Sequence, residues 1–118
     1  MNGLARIVEE HHGDIPVAAV EGEIDSSNVD ELGDRLRAML TNRSEALVID
    51  LAQTSYIDSA GINLLFSLGT ELDGRQQRLL LVVAPGSGSA RMLSITGLDA
   101  AVATYPTRAE ALAVLAAG

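Results

Sequence analysis

The chain has 118 residues, a net charge of −8, and neither cysteine nor lysine. One core suits that length. The acidity argues against nucleic acid, where affinity comes mainly from Lys and Arg neutralising phosphates, and the lack of lysine excludes a polybasic membrane patch.

Without cysteine there are no disulfides, thiolate metal sites or Cys nucleophile. Hydrophobic residues are 47% of the chain but aromatics only 3%, so the core is built from Leu, Val, Ile and Ala. Met1 to Glu10 carries no apolar signal-peptide segment. The apolar run Leu79 to Ala84 is too short to span a bilayer. These features set the expectation of a single cytoplasmic domain, residues 1–118.

Two short runs, Leu4 to Glu10 and Ile15 to Glu21, flank His11-His12-Gly13-Asp14. Gly and Asp mark a turn, so the pair reads as a β-hairpin. Gly22-Glu23-Ile24-Asp25 leads into a helix with Ser26 or Ser27 as N-cap and Asp30 or Glu31 in its first turn. Val29, Leu32, Leu36, Met39 and Leu40 recur at helical spacing. Ala46 to Leu51 is a continuous apolar strand, covered on both faces.

Ile62, Leu65, Phe66, Gly69 and Leu72 form the stripe of a second helix, with Gly74 as its C′ residue. Leu79 to Ala84 is another buried strand, followed by the loop Pro85-Gly86-Ser87-Gly88. Ser89 to Thr96 reads as a short helix stopped by Gly97. Ala101 to Tyr105 is a short strand ended by Pro106. Thr107 to Glu110 is a capping box for a last helix with the stripe Ala109, Leu112, Ala113 and Ala116. The order is ββαβαβαβα: an α/β domain with a mixed sheet of four to five strands, an N-terminal antiparallel hairpin and about four helices.

The chemistry concentrates at Tyr56-Ile57-Asp58-Ser59-Ala60-Gly61, where a strand, a loop and a helix start meet. A serine there either caps the helix or carries a phosphate, because helix N-termini accept anions. Nothing nearby is a nucleophile's base. A serine hydrolase needs Gly-x-Ser-x-Gly and a histidine, whereas Ile57 stands two residues before Ser59 and the histidines sit in the proposed hairpin turn. Asp25 reads as a turn carboxylate, or as a neighbour of Ser59 if the sheet brings the two strand ends together.

Asp25, Asp50 and Asp58 form a weak Mg²⁺ candidate, since hard cations need more oxygens at one spot and Asp50 lies within a strand. Pro85 to Ala90 resembles half a phosphate loop without its lysine. His11 and His12 lack further ligands. No metal, cofactor or catalytic residue is expected.

Four segments together resemble the STAS domain of bacterial anti-sigma factor antagonists, over nearly the whole chain. They are Gly22-Glu23-Ile24-Asp25, Val48-Ile49-Asp50-Leu51, Tyr56 to Gly61, and Leu93-Ser94-Ile95-Thr96-Gly97-Leu98. The resemblance implies a small mixed sheet with helices on one side. It implies that Ser59 is phosphorylated by an anti-sigma factor that is a serine kinase, and that a PP2C-type phosphatase reverses this. The unphosphorylated form would bind the kinase and release its sigma factor. Asp25, Ser26, Asp58, Ser59, Ala60 and Gly61 would form the partner-binding surface. Many relatives have a second serine where Ala60 stands here. The alternative is a STAS scaffold, or a small-ligand or nucleotide sensor, in a signalling complex. A monomer is expected, because the core accounts for the apolar helix faces.

Overall fold

Successive residues of the central strand face two different cores, and that alternation organises the molecule. A computed structural model describes residues 5–117. Its strands are β1 (Arg6–His12), β2 (Ile15–Ile24), β3 (Ala46–Asp50), β4 (Thr54–Ile57), β5 (Arg78–Val82) and β6 (Ala103–Tyr105). Its helices are α1 (Val29–Ala38), α2 (Ser59–Gly74), α3 (Gly88–Thr96), α4 (Leu98–Ala101) and α5 (Arg108–Ala117). Leu4, the expected start of the first run, lies outside the described residues. No helix among those described is long and apolar enough to cross a membrane.

The sheet order is β1-β2-β3-β5-β6, antiparallel only at the β1–β2 hairpin. The turn is Gly13-Asp14. His11 and His12 lie in β1, opposite Pro16 and Ile15, rather than in the turn. In β3, Ala46, Leu47, Val48 and Ile49 are fully buried. Leu47 and Ile49 join Ala18, Val20 and Leu81 in the larger core beneath α1 to α4. Ala46 and Val48 join Val17, Leu80 and Val82 in a smaller core closed by Ala111 and Leu115 of α5. Helices therefore cover both faces of the sheet, not one.

The α5 stripe is rotated from its expected positions. Ala111 and Leu115 are buried, while Ala109, Ala113 and Ala116 are exposed. This helix is almost wholly Ala, Leu and Val, so its sequence has little periodic contrast. In α2 the buried stripe also runs through Leu68, which is fully buried.

Two elements are additional to the expected order. The single turn α4 occupies the start of the expected last strand. More consequentially, β4 follows β3 along β2 and pairs in parallel with its end, Gly22 to Ile24. A bulge between Gly22 and Glu23 accommodates the switch of partner. Gly22 has φ 99° there, a conformation glycine adopts without the Cβ penalty. With β4 as partner, β2 continues to Ile24 rather than ending at Glu21.

The end of α2 departs from expectation in a testable way. Gly74 is the last helical residue, and the left-handed position falls on Gln76, with φ 60°. The Gln77 N–H donates to Leu72 O at 2.8 Å and the Gln76 N–H to Asp73 O at 3.0 Å, the two bonds of a Schellman motif. A non-glycine residue there costs about 1–2 kcal/mol, partly offset by the unfolded-state entropy of glycine. Gln76→Gly is therefore expected to stabilise the protein by up to about 1 kcal/mol, read as a rise in the urea midpoint at constant m-value.

Candidate functional site

The site forms where β2 and β4 end together. Ile24 is the register partner of Ile57, and the Asp58 N–H donates to Ile24 O at 3.1 Å. Asp25 and Asp58 therefore emerge side by side, with Ser59 one residue further on. This is the juxtaposition that the sequence left conditional. A strand of four residues produces it.

Asp58, not Ser59, is the N-cap of α2: its Oδ1 accepts the Gly61 N–H at 3.1 Å. Asp and Ser are comparably good caps, so adjacent candidates compete for the role. Ser59 becomes the first helical residue. It is exposed, and its hydroxyl makes no hydrogen bond among the described residues. Among the described residues the Ser59 and Ala60 N–H groups also have no acceptor, as expected for the first turn of a helix. Gly61 is buried against the strand ends. A Cβ there would lie 2.6 Å from Ile57 Cγ1 and 2.8 Å from Ile24 Cγ2.

Asp25 is organised locally. Its Oδ1 accepts from the Ser27 N–H at 2.9 Å and from the Ser27 hydroxyl. The Asp25 N–H donates to Asn28 Oδ1 at 3.1 Å, and Asn28 Nδ2 donates to Glu23 O at 2.9 Å. Asn28, rather than Ser26 or Ser27, flanks the start of α1. These bonds make a rigid exposed turn beside Ser59. Sequence reasoning gave no role to Asn28, although Asn is a recognised turn and cap residue. It also gave none to Tyr56, which is 53% exposed on β4 next to the site.

The remaining candidates separate. Asp50 Oδ2 accepts from Arg108 Nη2 at 2.9 Å, and its Oδ1 accepts the Ala52 N–H at 2.9 Å. Arg108 also pairs with Glu10 at 3.1 Å. Burial works against the Arg108 charge, but the hydrogen bonds it donates to the Glu10 and Asp50 carboxylates, with their negative charges, outweigh it and raise the pKa. Asp50 is thus an anchor between sheet and α5. No group of three or more His, Cys, Asp or Glu side chains among the described residues could hold a metal ion. Ser87 caps α3, accepting from the Ala90 N–H at 3.1 Å, so the Pro85 to Ala90 segment is a loop and a helix cap.

A groove of about 490 Å³ runs from Ala60 down between α1 and α2. Its far end is fixed by Arg37, whose Nε and Nη2 donate to the two Glu71 carboxylate oxygens at 2.9 Å each. That hydrogen bonding holds the Glu71 carboxyl below the usual range.

Comparisons with known proteins give the class to which this fold belongs. The STAS domain profile matches residues 6–111. RsfB, the anti-sigma-F factor antagonist of Mycobacterium tuberculosis, is 30% identical over 105 residues, covering 89% of this chain and 84% of RsfB. The crystal structure of an anti-sigma factor antagonist from Mycobacterium paratuberculosis superposes with a TM-score of 0.84 at 28% identity, covering 94% of this chain and 93% of that one. SpoIIAA in its unphosphorylated form shares the fold, with a TM-score of 0.78 at 18% identity over 96% of this chain and 98% of its own. The chain belongs to the STAS domain family, among the anti-sigma factor antagonists. Proteins of that group are regulators.

Proposed function

We propose that this chain is a cytoplasmic partner switch in which Ser59 is the phosphoacceptor. The partner is an anti-sigma factor that is also a serine kinase. Unphosphorylated, the chain binds that kinase through the surface of Asp25, Ser26, Asp58, Ser59, Ala60 and Gly61, and the sigma factor is released. The γ-phosphoryl group of ATP then passes to Ser59 Oγ, the hydroxyl proton goes to a base on the kinase, and ADP leaves. A PP2C-type phosphatase hydrolyses the phosphoserine and restores binding. RsfB is by name an antagonist of an anti-sigma-F factor, and the reading carries that class of partner to this chain.

The observation that carries the proposal is the unused Ser59 hydroxyl. With the cap supplied by Asp58, the hydroxyl has no structural duty and stands exposed at the positive end of a helix of 16 residues. Phosphoserine adds about −1.5 to −2 charges and three acceptor oxygens. The free first-turn N–H groups and the helix dipole offset part of that charge locally. The fold should therefore survive modification, and the change should be felt by the partner. A carboxylate base of the kind used in protein phosphorylation would face the new dianion across the interface.

The reading includes a monomeric chain. The outer edge of β1 carries Arg6, Glu9, Glu10, His11 and His12. Antiparallel self-pairing centred on Glu9 would set Glu9 directly opposite Glu9, and that like-charge pair disfavours this edge-to-edge register.

The test is intact-mass analysis after incubation with candidate anti-sigma kinases and Mg-ATP. One added phosphate on the parent and none on Ser59→Ala is the expected result. Transfer to both proteins would move the acceptor elsewhere. Absence of transfer with tight binding would leave a constitutive antagonist or scaffold.

A further inference from the structure

The groove between α1 and α2 begins at Ala60, one residue beyond the phosphoacceptor, and its walls are unlike each other. Half-buried Val29 and Leu64 line its apolar part, and both pack on the main core. Asp30 and Asp34 stand along α1, and Asn63 faces them from α2. Asp30 forms no ion pair or hydrogen bond among the described residues, and Asp34 is 4.0 Å from Arg37 with its side chain 85% exposed. Arg37 is the cation in the groove, and its guanidinium is committed to Glu71 by two hydrogen bonds. With the one Arg37 charge shared between Asp34 and Glu71 and none left for Asp30, the groove presents a wall of net negative charge over an apolar floor. Gly33 lets the helices approach this closely: a Cβ there would lie 2.9 Å from Leu64 Cδ1.

We propose that this groove is a second docking surface for the kinase that acts on Ser59, and that it receives a segment carrying a basic side chain beside an apolar one. The inference rests on the Ser59 reading above and adds the chemistry of the partner. A kinase that reaches Ser59 Oγ covers the neighbouring turn, and the concavity that starts at Ala60 continues the same surface. A lysine or arginine of the partner would meet Asp30 and Asp34, and its neighbour would cover Val29 and Leu64. The two contacts have opposite electrostatic logic. Negative charge in the groove attracts the partner, whereas negative charge added at Ser59 meets the kinase's base and drives release. Docking and switching are thereby separable, which complementary charge at an interface rim allows.

The test measures kinase association by stopped flow or surface plasmon resonance at low and at physiological salt. Asp30→Asn combined with Asp34→Asn preserves shape, and Asp34→Lys places a reversed charge beyond the first turn of α1. Glu110→Lys on α5, across the sheet, is the control. The expected result is slower association, affinity reduced about tenfold or more by the reversal, and a flatter salt dependence. Phosphorylation of Ser59 at saturating kinase should persist. Variants that bind with parental affinity and parental salt dependence would overturn the groove inference and leave the Ser59 reading intact. A parent chain that neither binds nor accepts phosphate from any candidate kinase would overturn both. Unchanged thermal unfolding of the variants excludes misfolding as the cause.

Discussion

Ser59→Ala is expected to bind the kinase with near-parental affinity and to be locked in that state, whereas Ser59→Asp is expected to bind about tenfold or more weakly. The Ser59 hydroxyl makes no hydrogen bond within the described protein, so its removal leaves no buried partner unsatisfied and spares the fold. The opposite effect of Asp follows from charge alone. Unit charges about 4 Å apart at a partly desolvated interface repel by one to a few kcal/mol, less with salt, and 1.4 kcal/mol is tenfold in affinity. One carboxylate supplies little more than half the charge of phosphoserine, so the phosphorylated protein should bind more weakly than Ser59→Asp. Titration of the three forms by isothermal calorimetry checks the order. Equal affinities for Ser59→Asp and the parent would remove the electrostatic basis of the switch.

Legibility in the sequence tracks contrast. α1 alternates sharply between apolar and polar and β3 is one continuous apolar run, and both elements form where those patterns put them. The hairpin, the α3 stop at Gly97 and the Thr107 cap, which accepts from the Glu110 N–H at 3.1 Å, are equally direct. The misplaced features lack that contrast. α5 is apolar nearly all round, so only the location of the smaller core decides which side is buried. α4 is a single turn. Around both helix starts of the site, several good capping residues stand in a row, Ser26-Ser27-Asn28 and Asp58-Ser59, and tertiary contacts choose between them.

The most consequential omission is β4. Thr54-Ser55-Tyr56-Ile57 has β-branched and aromatic residues suited to a strand, but it is short and half exposed, and its partner is the end of β2 beyond a bulge. That pairing depends on residues about 33 apart in the chain, which no local pattern reports. The motif around Ser59 was therefore readable as a motif, and Asp25 as a second one. Their adjacency was carried by the resemblance and explained by β4. The α1–α2 groove was not readable either, because Asp30 and Asp34 look like any solvated helix face until α2 is laid beside them.

Gly61→Ala is expected to destabilise the protein, and Gly74→Ala, in the same helix, to do the reverse. The two substitutions add the same methyl group, and each gains helix propensity over glycine of at most about 1 kcal/mol. At Gly74 the new Cβ meets nothing within 4 Å, so a gain of up to that size should appear in the urea midpoint. At Gly61 it would sit 2.6 Å from Ile57 Cγ1 and 2.8 Å from Ile24 Cγ2, and both isoleucines are themselves buried at the ends of β4 and β2. Those β-branched side chains have few alternative rotamers, so the first turn of α2 must lift. Overpacking of this kind costs about 1–3 kcal/mol, which exceeds the propensity gain. The displaced turn carries Asp58, Ser59 and Ala60 with it, so kinase binding should fall together with stability. A Gly61→Ala protein as stable as the parent would show that the strand ends yield to the helix. The rigid seat assigned to the phosphoacceptor would then be wrong.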